Sequence, residues 1–251
     1  MRYLSLMLAL FATHLPCVTP SSFAEEVVSR VMSNERATLY MGGTPAGEQT
    51  LRVEKTSLPS DGSTPTKEGY LFVSTAHLQI LAMGVVIPLD VNTECVTNDD
   101  FSVHSFDFNM ESAGTQISMS AHVEDETLSL QLTSAGSVSR QEISLAEGPV
   151  FTPEAIYMAM SREGLEVGTQ KSFRVYDPMS TSLDTITGVV LKKDSIYFGG
   201  KPVETYLLTL DFKGFQQKAW IDTDGVCYQE ESEVAGQNFV ALRTLDDGTT
   251  V

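Results

Sequence analysis

Basic residues are scarce in this chain: across 251 residues, 16 Lys and Arg stand against 33 Asp and Glu, for a formal charge of -17. A polyanion of this kind repels phosphate backbones and anionic lipid headgroups, and no Lys/Arg stripe offsets it, which excludes nucleic acid as a partner class. The acidity itself reads as colloidal solubility. Cysteine is also rare, at three residues. No G-x-S-x-G turn surrounds any serine, and the paired glycines Gly42-Gly43 and Gly199-Gly200 stand between strand patterns rather than before a helix, so neither a nucleophile elbow nor a phosphate cradle is visible. Fixed-period repeats, low-complexity tracts and heptads are absent as well.

One apolar run is present, at the N-terminus. Met1-Arg2 is followed by Leu4 to Ala12, the run stops at His14-Leu15-Pro16, and Ser22-Phe23-Ala24 precedes Glu25-Glu26. It is too short for the ~20 residues of a spanning helix. A cationic start, a short apolar core and a small-residue exit predict a secretory signal peptide over 1-24 and a periplasmic or secreted protein with no transmembrane segment after cleavage. Cys17 lacks the small residues that precede a lipidated cysteine. Cleavage after Ala24 removes 24 of 251 residues, leaves 227, and takes the charge to -18.

Cys95 and Cys227 survive that cleavage. An even pair in an exported chain is a candidate disulfide, and a bridge across 132 positions would be worth ~5 kcal/mol by chain entropy; two buried thiols that never meet is the alternative.

Strand periodicity dominates the remainder of the chain. After a lead segment, 25-35, with a turn of helix over Ser29 to Met32, strands are predicted at Arg36 to Met41 and Glu48 to Lys55 around Gly42 to Gly47. Ser57 to Glu68 reads as a polar loop, and Tyr70 to Leu81 and Val85 to Val96 as long strands split by Gly84. In Phe101 to Met110, His104, Phe106, Phe108 and Met110 share one face, and Ile117, Met119, Ala121 and Val123 repeat the alternation. The sole helix signal is Pro153 to Glu163 within 152-164, with Thr152 as hydroxyl cap, Gly164 as terminator and Ile156, Ala159 and Met160 as its apolar stripe. It divides an N-terminal β lobe, 36-150, from a helix-plus-strand lobe, 151-251, packed together. Tyr206, Leu208, Leu210 and Phe212 share a face in the second lobe, and Asp222-Thr223-Asp224-Gly225 is a hairpin turn. The predicted fold is mainly β: a curved antiparallel sheet or partly open barrel with one internal helix, the alternative being a two-sheet sandwich.

Chemistry finds few footholds in this pattern. His104-Ser105-Phe106-Asp107 cannot form a triad, because alternation sends His104 to one side and Ser105 and Asp107 to the other. A zinc site from His77, His104 and His122 would draw on separate strands without a close pair in sequence. Asp222-x-Asp224-Gly225 and Asn98-Asp99-Asp100 begin like calcium loops but lack the later ligands, so both read as turns. The 33 acids single out no glycosidase pair.

Several stretches in order resemble the N-terminal β domain of exported bacterial transglutaminase-like proteins: Met41-Gly42-Gly43 to Gly47, Phe101 to Phe108, Thr152-Pro153-Glu154, Tyr176-Asp177-Pro178-Met179-Ser180, and Ala219-Trp220-Ile221-Asp222-Thr223-Asp224-Gly225. In that family the Cys, His and Asp of the triad belong to a following domain, and this sequence ends at Val251, about where that domain would begin. The resemblance therefore implies a non-catalytic accessory domain with no catalytic residue and no cofactor. The Trp220 to Gly225 hairpin is also similar to one in half-barrel periplasmic lipoprotein carriers. Two functions are thereby expected. One is an exported accessory or protein-interaction domain whose partner is another exported or envelope protein. The other is a carrier of a lipid-like ligand, with Phe106, Phe108, Met110, Met119, Leu208, Leu210 and Phe212 lining an apolar concavity.

Overall fold

The computed structural model describes residues 30-58, 67-82, 85-234 and 236-244. The leader read over 1-24, Cys17, and most of the polar loop after Ser57 lie outside them. No helix among the described residues is long and apolar enough to cross a membrane.

Among the described residues, fifteen strands form one sheet. Eight precede the helix: β1 (Arg30–Met41), β2 (Thr44–Ser57), β3 (Glu68–Ala82), β4 (Val85–Asn98), β5 (Val103–Ser112), β6 (Thr115–Glu124), β7 (Thr127–Ser134) and β8 (Ser137–Ser144). A two-residue β9 (Val150–Phe151) leads through a 3-10 turn, Pro153–Ala155, into the short helix α1 (Ile156–Ser161). Then come β10 (Gln170–Asp177), β11 (Ser182–Phe198), β12 (Lys201–Phe212), β13 (Phe215–Ile221), β14 (Cys227–Val234) and β15 (Gln237–Thr244). Their order across the sheet is β8-β7-β6-β5-β4-β3-β2-β1-β15-β14-β13-β12-β11-β10-β9. Each half is a meander, and the halves join where β1 pairs β15 at Leu39↔Ala241.

Turn chemistry explains the meander. Gly42-Gly43, Ala113-Gly114, Ala135-Gly136, Gly199-Gly200 and Lys213-Gly214 are two-residue connections in which both residues have positive φ. That is the turn whose twist matches the flanking strands, and Gly enters it without strain.

The curl is required by a length argument. β8 and β9 are consecutive in the chain yet occupy opposite ends of the sheet, joined only by residues 145-149. Fourteen interstrand gaps laid flat would separate them by about 67 Å at ~4.8 Å each, whereas the link spans at most ~21 Å. The sheet must roll until its ends meet. Phe106 of β5 and Tyr176 of β10, ten strands apart across the sheet, accordingly bring their rings to 5.9 Å. Arg174 fastens the seam: Nη1 donates to Gly148 O at 2.5 Å, and Nη2 to Ser144 O at 3.3 Å and to Glu147 Oε2 at 3.3 Å. The result is a large curved, unclosed sheet, and the sandwich alternative is set aside.

A roll of fifteen strands is too wide for wall side chains to fill, since eight strands already enclose just enough room for them. The helix supplies the missing volume. Ile156, Tyr157 and Met160 are fully inaccessible, and every other residue of α1 is buried. The amphipathic stripe expected from the sequence is therefore a helix buried all round. Gly188 and Gly225 let it sit against the wall: a Cβ on Gly188 would lie 2.9 Å from Met160 Sδ, and one on Gly225 2.7 Å from Met158 Cα.

Several local expectations are corrected. Arg30 to Met32 belong to β1 rather than to a turn of helix, and β8 and β15 were not expected. Thr152 makes no helix cap; its hydroxyl donates to Cys95 Sγ at 3.5 Å. A register shift between Val96 and Thr97 buries Val103 and leaves His104 half-buried.

Candidate functional site

The seven residues predicted to line a concavity are all buried in the interior. Phe106, Phe108, Met110, Met119, Leu208, Leu210 and Phe212 are all at most 8% exposed and belong to one apolar cluster with Ile156, Tyr157, Met158 and Met160 of α1.

A cavity of about 40 Å³ lies elsewhere, where β14, β15, β1 and β2 adjoin. It has room for about three waters, against several hundred Å³ for a typical small-molecule site. Glu35, Gln49, Cys227, Tyr228, Glu230 and Arg243 contribute to its lining. The inner wall here is polar, and sequence reasoning did not find it, because Glu35, Glu230 and Arg243 occupy inward positions where alternation calls for apolar residues. The Arg243 guanidinium rests 4.9 Å from the Tyr228 ring centroid and 5.3 Å from that of Phe198, and Arg243 Nη1 is buried without a hydrogen-bond partner. Burial first, then the Asp222 carboxylate, push the Tyr228 hydroxyl above its ordinary range.

The expected disulfide between Cys95 and Cys227 is not seen in the structure. Cys95 sits in β4 and Cys227 in β14, with β3, β2, β1 and β15 between them. Burial pushes the Cys95 thiol up to about 12, only partly offset by the Thr152 bond. A thiol so held is protonated and inert at neutral pH.

The histidines stay apart. His77 Nδ1 lies 2.6 Å from Asp90 Oδ1 on the outer surface, with side chains 68% and 48% exposed, while His122 Nε2 is 3.9 Å from Glu124. Burial and nearby Lys67 lower the pKa of His104. No group of three His, Cys, Asp or Glu suited to a metal occurs among the described residues. Both calcium-like runs are closed turns: Asp222 Oδ1 accepts from the Asp224 and Val226 amides, both at 3.0 Å, and Asp100 Oδ1 accepts from Ser102 N at 2.9 Å and Oγ at 2.5 Å.

A serine-lysine cluster was missed by the sequence reading. Lys213 Nζ donates to Ser182 Oγ at 2.5 Å and Ser180 Oγ at 3.2 Å, and pairs with Asp184 Oδ2 at 2.8 Å. Ser180 also donates to Asp177 Oδ2 at 2.5 Å, and Asp177 is fully buried. Its carboxyl pKa is raised because burial outweighs these bonds. Lys213 Nζ meets oxygens of Ser180, Ser182 and Asp184 at once. The cluster thus clamps the β10–β11 turn to the β12–β13 turn, and no short sequence motif joins Ser180 to Lys213 in advance of the fold.

No protein-family model and no curated protein matches the chain. Among solved structures, it is similar to a β-barrel-like protein of a domain of unknown function, DUF1849, from Brucella abortus, at 11% identity, covering 86% of this chain and 98% of that one with a TM-score of 0.50. A DUF1089 family protein from Pseudomonas aeruginosa aligns at 11% identity over 70% of this chain and 86% of that one, with a TM-score of 0.40. What the comparison with the first of these shows is the fold: this chain is a β-barrel-like protein.

Proposed function

We propose that this protein is a non-catalytic, exported accessory domain of the bacterial cell envelope that docks another exported protein along the open edge of its sheet. The observation that carries this reading is β8. It ends the strand order, pairs β7 over eight rungs without a bulge, and exposes every residue except Ile143. Sheet edges are ordinarily blunted by Lys, Pro or a bulge. In Ser-Val-Ser-Arg-Gln-Glu-Ile-Ser there is no Lys and no Pro, and Arg140 and Glu142 cancel in charge within a chain of net -17. The other end is handled differently: β9 has only two residues, both buried, and leads into the central helix.

An extended segment of a partner adds to such an edge through main-chain hydrogen bonds, with alternate side chains providing selectivity. Export is supported by the leader read at 1-24, and the accessory role by the likeness to a domain that precedes an enzyme. Val138 is 58% exposed on this strand. Val138→Lys places a charge on the edge at no packing cost, so stability should hold while capture of a specific partner from envelope extract is lost. Capture that survives the substitution, or the absence of any specific partner under conditions that preserve weak complexes, rejects the reading.

A further inference from the structure

Strand β8 leaves one row of main-chain groups unused. Ala135 and Gly136 both have positive φ, so Ser134 and Ser137 close a two-residue turn and bond to each other across it. Hydrogen-bonded pairs alternate along an antiparallel ladder. Ser137, Ser139, Gln141 and Ile143 therefore point their N–H and C=O groups at β7, while Val138, Arg140, Glu142 and Ser144 point theirs away from it. Two contacts agree with that parity: Leu145 N donates to Glu126 O at 2.8 Å on the β7 side, and Arg174 Nη2 reaches Ser144 O at 3.3 Å on the open side. Ile143 is buried, so the side chains of Arg140 and Glu142 stand on the opposite, outer face, across from Gln131 and Ser129. Both are exposed, and neither forms an ion pair with a described residue.

We infer that the occupant of this edge is β8 of a second copy of the chain, set antiparallel across a two-fold axis at Gln141. The inference rests on the reading of β8 as a docking edge and names its partner. Only the even-numbered residues can meet in hydrogen-bonded pairs, so the register can change only in steps that keep even opposite even. Arg140 against Glu142 obeys that rule, and the axis makes the pair twice. The next register on either side sets Arg140 on Arg140 or Glu142 on Glu142, and like charges directly opposite are destabilising. Registers farther out pair neither charge with its opposite. The strand is thus complementary to itself in one alignment.

The contact is small. The outward N–H and C=O groups of Arg140 and Glu142 meet no main-chain partner among the described residues, and joining them across the axis makes both pairs in full. At the strand's end the Ser144 carbonyl already accepts from Arg174. A patch of one strand a side falls short of a permanent interface, so the dimer is reversible, with a dissociation constant on the order of micromolar. Each copy has a net charge of -17; at physiological ionic strength a Debye length of about 8 Å screens that repulsion and leaves the contact pairs in place.

Charge reversal tests the register. In sedimentation equilibrium the purified protein should form a concentration-dependent dimer. Arg140→Glu and Glu142→Arg should each raise the dissociation constant at least about tenfold, because each sets like charges opposite one another twice. Mixed in equal amounts, the two variants should regain the parent's association as a heterodimer, and the double variant R140E/E142R should do so by itself. Gln141→Cys lies on the axis, in a pair without main-chain bonds whose Cα atoms are about 4.5 Å apart, so mild oxidation should couple it into a covalent dimer. Val138→Cys, far from the axis, and the parent should stay uncoupled. Unchanged melting curves establish that the variants are folded, and Q141C reads the same register without altering charge if a reversal variant is not. A monomer at every concentration, a dimer indifferent to both reversals, or coupling of V138C in preference to Q141C overturns the inference. If the protein is monomeric while V138K still abolishes capture of a different envelope protein, the docking edge stands without this partner. If neither dimer nor captured protein is found, both readings fall.

Discussion

Cys95 shows how burial rather than identity sets a residue's chemistry. Its thiol is pushed up to about 12 from an ordinary 9.0, so the folded state holds the proton where an unfolded chain has lost it. A group with a raised folded pKa contributes stability that is complete below pH 9 and disappears as pH climbs toward 12. Relative to Cys95→Ala, the native protein should lose about 1.4 kcal/mol per pH unit across that window. Urea midpoints of both proteins at pH 7, 9 and 10 measure this; parallel pH profiles would contradict it. Gly225 makes the complementary point for the backbone. With φ at +81° and a would-be Cβ 2.7 Å from Met158 Cα, Gly225→Ala has both a strained conformation and a clash with the helix. We expect a loss of about 2–4 kcal/mol by denaturant titration. Both residues were visible in the sequence, one as half of a supposed disulfide and one as part of a turn. Neither role was legible, because each depends on what lies across the interior.

At the scale of elements, the helix and the seam determine how the sheet is held. Met160 is fully buried against Gly188, so Met160→Ala should cost about 2–5 kcal/mol and leave a void at the centre of the roll. The seam is narrower. Arg174→Ala removes charge-assisted bonds to Gly148 and Ser144 in a side chain only 20% exposed, and about 1–3 kcal/mol should go with them. Hydrogen exchange should rise at the β8 and β10 ends before it rises at β3 or β12; uniform acceleration would show that Arg174 does not hold the edges together. Strands with an apolar face, such as β5, β6 and β12, were legible by their period of two. β8 was not, since an edge strand with seven of eight residues exposed has no face to alternate. β15 escaped for another reason: Phe239, Ala241 and Arg243 share its inner side, and an inward arginine breaks the apolar pattern. The polar cavity was invisible on the same account.

Taken as a whole molecule, the chain buries one apolar cluster drawn from strands on both sides of α1 and from α1 itself. Residues 36-150 and 151-251 are joined by the β1–β15 ladder and share that cluster. Thermal unfolding should therefore be a single transition, with Trp220 fluorescence and far-ultraviolet circular dichroism coinciding. Two separated transitions would mean that the lobes hold together independently. Periodicity and turn chemistry are local properties, and by themselves they determined that this is an antiparallel β protein with one interior helix, reversing at paired positive-φ residues. The tertiary structure decided how far the sheet rolls, that the helix is buried on every side within it, and that Cys95 and Cys227 form no disulfide. Those outcomes depend on lengths and volumes compared between segments distant in sequence, and such comparisons exist only once the chain has closed on itself.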